Sequence, residues 1–272
     1  MIAMQGIKSA INQRLWNPAQ SLFFDNDTVQ TDSSIHPQDG NSWVIIAGLV
    51  DPERAGAISA SLQKRWVKPY GAPAPEAGST ISPFATGFEV QAHFLAGHPE
   101  RAVELIEFMW ADFMLDDPRM TNSSFIEGYA TDGSLKYAPY ANNDARISHA
   151  HGWATGPTAS LTFYAAGLQI LSGQGKTWTV QPRLGLLREV EGGFETALGG
   201  YAASWTASRG AVSGWFRTPD KTSGSLVLPY PKSRQHVVVK GPNGISRPEK
   251  SNEGLVYRHL HGGTYHIYVG RE

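Results

Sequence analysis

The hydrophobic period of this chain changes once, near residue 173, and that change restricts the fold more than any other feature. Upstream of it, apolar residues return at helical spacing. Asp51-Pro52 is a helix start: the aspartate can accept from free N–H groups, and proline at the first position lacks only an N–H that has no helical partner there. Ile58, Leu62 and Trp66 then recur every four residues. The same device returns downstream. Ala47-Gly48 followed by Asp51-Pro52-Glu53-Arg54-Ala55 is echoed by Ala96-Gly97-His98-Pro99-Glu100-Arg101-Ala102, after which Val103, Ile106, Trp110 and Phe113 or Met114 form an apolar face. A helix closed by glycine, a tight turn and a new helix opened by proline describe a helical hairpin, and its recurrence predicts an array or closed ring of hairpins. His151 to Leu171 reads as a last helix, with Ala159, Phe163, Ala166 and Ile170 as its stripe and Pro157 in its first turn.

From Gly173 the pattern becomes short β-rich runs separated by Gly, Pro and Asn turns: 178–180, 199–205, 211–218, 224–228, 235–240, 254–259 and 263–269. Such a series predicts an antiparallel β-sandwich. The chain therefore divides into a helical domain over residues 1–172 and a β-sandwich over residues 173–272, the second expected to be structural, with sugar binding through Trp205, Trp215 and Tyr230 as the lesser alternative.

Three segments between the helices are long and rich in turn formers: Trp16 to Gln38, Lys68 to Pro83, and Asp116 to Ile147. Loops of that length in a compact domain are usually functional or disordered, and the contents of these favour function. The densest chemistry lies in the third and just beyond it. Ser124-Phe125-Ile126-Glu127-Gly128-Tyr129 is followed by Ser148-His149-Ala150-His151-Gly152-Trp153, with Asp132, Tyr137, Tyr140 and Asp144 between. Aromatic rings suit the apolar faces of sugars, and carboxylates, imidazoles and amides suit their hydroxyls. A polyol ligand fits this mixture, and an ordinary polar surface connection fits it equally.

A single carboxylate is half of a glycosidase. Inverting hydrolysis uses one carboxyl group to protonate the leaving oxygen and a second to activate water, about 6.5–9.5 Å apart. Glu89, among Phe84, Phe88 and Val90, reads first as a buried hydrogen-bonding group and second as a catalyst. Asp39, in His36-Pro37-Gln38-Asp39-Gly40-Asn41, reads first as a helix cap, with substrate contact from Gln38 or Asp39 second. Asp132 beside Gly133 reads as a turn residue. His149 and His151 are spaced by two, which suits a strand, and no further ligand motif accompanies them, so no metal or other cofactor is expected.

Composition limits the partners. The formal charge is -1, with no long basic run, which disfavours nucleic acid and anionic membrane surfaces. The first sixteen residues contain Gln5, Lys8, Asn12, Gln13 and Arg14, so no signal peptide is expected, and the Trp43 to Val50 run is too short to span a bilayer. The absence of cysteine leaves the compartment open.

Ser123-Ser124-Phe125-Ile126-Glu127, then Ser148-His149-Ala150-His151-Gly152-Trp153, Trp178-Thr179-Val180-Gln181-Pro182 and Gly192-Gly193-Phe194 resemble the C-terminal part of the α-L-rhamnosidases of glycoside hydrolase family 78, over nearly the whole chain. The resemblance implies part of an (α/α)6 toroid of helical hairpins followed by an antiparallel β-sandwich. It implies inverting hydrolysis of terminal α-L-rhamnosides, with Glu127 as general base and His151 near the sugar subsite. Trp153 and Tyr129 are stacking candidates by position, and His149, Gln38 and Asp39 complete the candidate substrate-binding set. The implied ligand is a rhamnose-containing glycoside or oligosaccharide. The family's general acid lies in a first half of the ring that has no counterpart here, so a missing N-terminal half or partner chain is expected to supply it. The alternative is a catalytically inactive fragment or remnant that acts as a carbohydrate-binding or structural module.

Overall fold

The computed structural model describes residues 2–28, 35–141, 143–242, 244 and 247–271. The chain forms two compact units, Met1–Thr158 and Ala159–Glu272. The first is built mainly of helices and the second mainly of strands.

In the first unit α1 (Ile2–Arg14) is followed by the short strand pair β1 (Trp16–Asn17) and β2 (Leu22–Phe23). Two hairpins come next: α2 (Gln38–Ile46) with α3 (Pro52–Gln63), and α4 (Pro83–Leu95) with α5 (Pro99–Leu105), the last continued by wider π-helical turns over Ile106–Leu115. The local chemistry matches the capping residues. The Arg54 N–H donates to Asp51 Oδ1 at 2.8 Å, so Asp51 caps α3 ahead of Pro52. Gly48 and Gly97, which close α2 and α4, both sit at positive φ, where a side chain would clash with its own backbone.

The faces that α2 and α3 turn inward meet in one apolar cluster. Val44, Ile45, Ala55, Ile58 and Leu62 pack with Leu22, Phe23 and Ala92. Trp66, expected on the same stripe, lies beyond the end of α3 and is only half-buried. The stripe after Pro99 is buried at Val103, Trp110, Phe113 and Met114. Between the hairpins, β3 (Pro73–Ala74), β4 (Thr80–Ile81) and β5 (Tyr129–Ala130) make a small antiparallel sheet that fixes the residues just after Glu127.

The predicted helix over 151–171 is a correction. Helical turns run only through α6 (Gly156–Ser160) and Leu161–Ala165, and Leu168–Ile170 is a strand, β6. Of its proposed stripe only Ala166 is buried: Ala159, Phe163 and Ile170 are exposed, while Ser160 and Ala165, outside the stripe, are buried. The turn at Gly167 ends the helix, because its φ of 80° and its contact with the Gln181 carbonyl leave no room for a side chain.

The second unit is one hydrogen-bonded network of eight strands: β6, β7 (Thr177–Val180), β8 (Glu189–Thr196), β9 (Gly199–Ser208), β10 (Ala211–Leu228), β11 (His236–Lys240), β12 (Glu249–Ser251) and β13 (Gly254–Gly270). The runs expected at 211–218 and 224–228 are a single strand with a bulge between Thr218 and Ser223, and those at 254–259 and 263–269 likewise form β13. These long strands lie side by side. Their outer ends carry β9, β8 and β11, and their inner ends carry β7, β6 and β12. Nor is the network wholly antiparallel, since β7 runs parallel to β10. Its largest buried groups are Trp178, which donates to Thr222 Oγ1 at 2.9 Å, and Trp205, which donates to the Ala166 carbonyl at 2.9 Å.

Candidate functional site

Glu127 is held by two loop segments that pair through their backbones. The Glu127 N–H donates to the Ser148 carbonyl and the His151 N–H to the Phe125 carbonyl, both at 2.9 Å. The Ser124 hydroxyl donates to the His149 carbonyl at 2.7 Å, which closes the same junction from the side. Ile126 is buried just before the carboxylate, and β5 begins two residues after it. A side chain fixed by backbone bonds on both segments loses little further freedom when a ligand arrives, which is the condition for a preorganised site.

Glu127 is 2 % exposed, and each of its carboxyl oxygens has a hydrogen-bond partner. Tyr140 donates its hydroxyl to Oε1, the Ser148 N–H donates to Oε2 at 3.2 Å, and His151 Nδ1 lies 3.6 Å from Oε2. The bond to Glu127 is the largest influence holding the Tyr140 phenol above its usual range, because loss of its proton would place two negative charges in contact. Arg146 lies over the Tyr140 ring, its guanidinium 5.0 Å from the centroid.

A line of aromatic rings leads away from this carboxylate. His151 packs on Trp153 with centroids 4.3 Å apart, Trp153 on Phe84 at 5.2 Å, Phe84 on Phe88 at 4.9 Å and Phe88 on Trp43 at 4.8 Å. Phe84 and Phe88 are one turn apart on α4, so they share a face. Trp153, Trp43 and Phe84 are 48, 46 and 44 % exposed. Exposed aromatics are commonly scattered singly, whereas these rings form one continuous row. The row depends on a close crossing. A Cβ built at Gly156 would lie 2.6 Å from the Gly87 Cα, so the chain after Trp153 meets α4 where neither residue has a side chain. The Trp110 indole donates to the Ala154 carbonyl at 2.7 Å and anchors the same turn.

Not every expected site residue joins this group. Tyr129 is fully buried and donates its hydroxyl to the Tyr70 carbonyl at 2.5 Å; burial pushes its phenol well above the usual range, so its ring belongs to the core rather than to a sugar-stacking surface. His149 contributes its carbonyl to the junction, with a half-buried side chain.

Gln38 is buried too, on a second network. Its amide donates to Glu89 Oε2 at 2.7 Å and to Thr86 at 3.2 Å. Glu89 also accepts from the Trp66 indole at 2.6 Å and lies 3.3 Å from His93 Nε2, and His93 reaches Ser59 at 2.7 Å. The buried hydrogen-bonding reading of Glu89 therefore describes its place. Asp39 is exposed in the first turn of α2 and does not cap it. Glu76 does so, accepting from the Gln38 N–H at 2.9 Å and the Asp39 N–H at 3.1 Å. Burial raises the Glu76 carboxyl above its usual range. Asp132 accepts from the Ser134 N–H at 2.9 Å, as a turn residue does.

Phe84, Phe88 and Trp43 were outside the expected site, and Tyr140 belonged to the expected cluster without an assigned role. The four-residue spacing of the two phenylalanines was a legible signal, whereas nothing in the sequence pairs Tyr140 with Glu127. Among the described residues, no group of three His, Asp or Glu side chains is placed to hold a metal ion, and no helix is long and apolar enough to cross a membrane.

No protein-family model matches the sequence, and none of the curated proteins matches it. Solved structures of α-L-rhamnosidases do. The α-L-rhamnosidase of Dictyoglumus thermophilum superimposes with a TM-score of 0.65 at 17 % identity, over 97 % of this chain and 28 % of that one. The Streptomyces avermitilis α-L-rhamnosidase complexed with L-rhamnose gives 0.56 at 13 % identity, over 85 % of this chain and 21 % of that one. The family 78 rhamnosidase of Bacillus sp. GL1 gives 0.57 at 19 % identity, over 82 % and 22 %. At these identities the likeness is one of fold: the chain has the fold of a portion of these enzymes and spans between 21 and 28 % of their length.

Proposed function

We propose that this chain is the part of an inverting α-L-rhamnosidase that carries the general base, Glu127, together with one wall of the sugar site. In this reading the helical unit is a segment of an (α/α)6 toroid and the strands after it a β-sandwich. The observation that carries the proposal is the convergence of Glu127, His151 and Trp153 on paired loops, with an exposed aromatic row beside them. The step is a single displacement. A water oxygen attacks the anomeric carbon, Glu127 takes the proton that water sheds, and the glycosidic C–O bond breaks with its electron pair going to the leaving oxygen. That oxygen takes a proton from an acid supplied outside these 272 residues. His151 and Ser148 hold the carboxylate in place, and Trp153 offers its ring to the sugar face.

One observation favours the alternative for the chain by itself. The other acids considered, Glu89, Asp39 and Asp132, are buried in a separate network, exposed in a helix turn and tied in a loop turn. A carbohydrate-binding module with no turnover needs no second acid.

The hydrolase and carbohydrate-binding readings both require rhamnose at the Glu127 cleft, which a structural module does not, and an activated aryl α-L-rhamnoside separates the first two. Its leaving group needs little protonation, whereas acid assistance on an ordinary glycoside is worth on the order of 10²–10⁴-fold. The expected result is perturbation of Trp153 fluorescence by L-rhamnose, slow release of the inverted sugar from the aryl substrate, and loss of that release in Glu127→Gln with binding retained. Binding without release selects the module. Turnover that survives Glu127→Gln, or no response of Trp153 to rhamnose, sinks the reading of this site.

A further inference from the structure

The second unit presents a cleft of about 440 Å³ on one face of its sheet, at the inner ends of β10 and β13. Register explains how it arises. Thr179 on β7 lies beside Ser225 on β10, and Val227 on β10 lies opposite Val256 on β13, so alternation places all four on the same face, with Arg258 two residues further along. The opposite face carries Trp178, Val180, Leu226 and Leu228 into the core. The turn between β12 and β13 rises over the edge of this face and brings Asn252 and Glu253 to the rim.

The groups there are arranged rather than scattered. The Thr179 and Ser225 hydroxyls are 3.1 Å apart, one able to donate to the other and both to meet a further partner. Arg258 is steered by Glu249, its Nε donating to Oε2 at 2.9 Å. The turn is stiffened where the Glu253 N–H donates to the Ser251 hydroxyl at 3.1 Å and the Tyr230 hydroxyl to the Ser251 carbonyl at 2.7 Å. Glu253, Arg258, the three hydroxyls of Thr179, Ser225 and Ser251 and the Asn252 amide lie above a floor of two valines, and the positive charge of Arg258 is already answered by Glu249. They therefore suit a neutral ligand with many hydroxyls and one apolar edge better than an ion. The volume lies in the ordinary range for small-molecule sites of about 300–1,000 Å³.

We infer that this cleft is a second, non-catalytic saccharide-binding site, taking a neutral monosaccharide unit whose hydroxyls meet Arg258, Glu253, Asn252 and the Thr179–Ser225 pair while its apolar edge rests on Val227 and Val256. It belongs to the strand unit, whereas Glu127 belongs to the helical unit, and it does not depend on the reading given to that residue.

The test is backbone-amide NMR of the full chain titrated with L-rhamnose into the tens of millimolar. The expected result is a saturable shift of the Thr179, Ser225, Asn252 and Glu253 amides. Arg258→Ala should weaken it about tenfold, the loss of a hydrogen bond to a charged group. Ser225→Ala is the second variant, a small change on a strand face, and should weaken it several-fold. Trp153→Ala should leave these four signals unchanged, so failure at one site is distinguishable from failure at the other. The inference is overturned if the four amides do not respond, if neither substitution alters the response, or if sodium acetate shifts them as L-rhamnose does, which would mark an anion site.

Discussion

Placing an alanine at Gly156 tests the crossing on which the aromatic row depends. The Cβ would stand 2.6 Å from the Gly87 Cα, a backbone atom that cannot swing aside as a side-chain tip can. Overpacking of this kind costs about 1–3 kcal/mol. Gly156 is the first residue of α6, where alanine's helix preference recovers little. The reciprocal change is milder. A Cβ at Gly87 would lie 3.1 Å from the Gly156 Cα, and Gly87 is in the interior of α4, where alanine is favoured over glycine by about 1 kcal/mol. Gly156→Ala should therefore destabilise the helical unit and Gly87→Ala should leave it nearly unchanged, although both substitutions fill the same gap. Because the chain has two units, a single unfolding midpoint would mix them, so native-state hydrogen exchange of the α4 amides is the suitable assay. The expected acceleration in Gly156→Ala is about 5- to 150-fold, the equivalent of the energy above. Equal exchange in the two variants, or faster exchange in Gly87→Ala, would refute the argument from close approach.

Trp153→Ala removes a half-exposed ring, so it should cost less than about 1 kcal/mol of stability. Stacking energies of about 1 kcal/mol translate into roughly fivefold weaker rhamnose binding at the Glu127 cleft, and calorimetry showing undiminished affinity would remove Trp153 from the sugar site. Tyr129→Phe should alter the alkaline limb of stability. Burial raises the Tyr129 phenol, so above about pH 10 the unfolded chain sheds a proton that the folded chain keeps, and stability falls as pH rises. The variant should lose about 1 kcal/mol at neutral pH with its hydrogen bond to Tyr70, and its denaturation profile should fall less steeply above pH 10; an unchanged alkaline slope would count against the burial argument.

Hairpin starts were legible because capping is local: Asp51-Pro52, Gly48 and Gly97 act within a turn of their own position. Burial at Ile58, Leu62, Val103 and Trp110 followed from spacing alone. Where distant backbone decided the outcome, the sequence was silent. Apolar spacing carried the reading of a helix through Ile170, and pairing of Leu168–Ile170 with β7 overrode it. Aspartate at residue 39 had the right chemistry for a cap, yet Glu76, from a different loop, occupies that role. The same holds for the candidate site. Glu127 and His151 come together through two backbone bonds between segments some twenty residues apart, a pairing that motif order suggests and local propensity does not. Tyr129 followed Glu127 so closely that both were expected in one cleft, but its pairing with Ile81 of β4, its packing on Phe113 and its hydroxyl bond to the Tyr70 carbonyl hold the tyrosine ring in the core.

The paired course of β10 and β13 sets an order of assembly for the strand unit. Their inner ends meet first along the chain, Leu228 opposite Leu255, and their outer ends last, Val212 opposite Val269. Closing the short loop costs less entropy than closing the long one, so pairing should start at the inner ends and travel outward like a zip. The cleft floor at Val227 and Val256 belongs to the first few pairs formed, whereas β9 and β11 attach to the last. During synthesis the first half of β10 must wait, unpaired along the edge that β13 will cover, until residues 263–270 have emerged. That interval is when this unit is most exposed to strand exchange with a neighbouring copy.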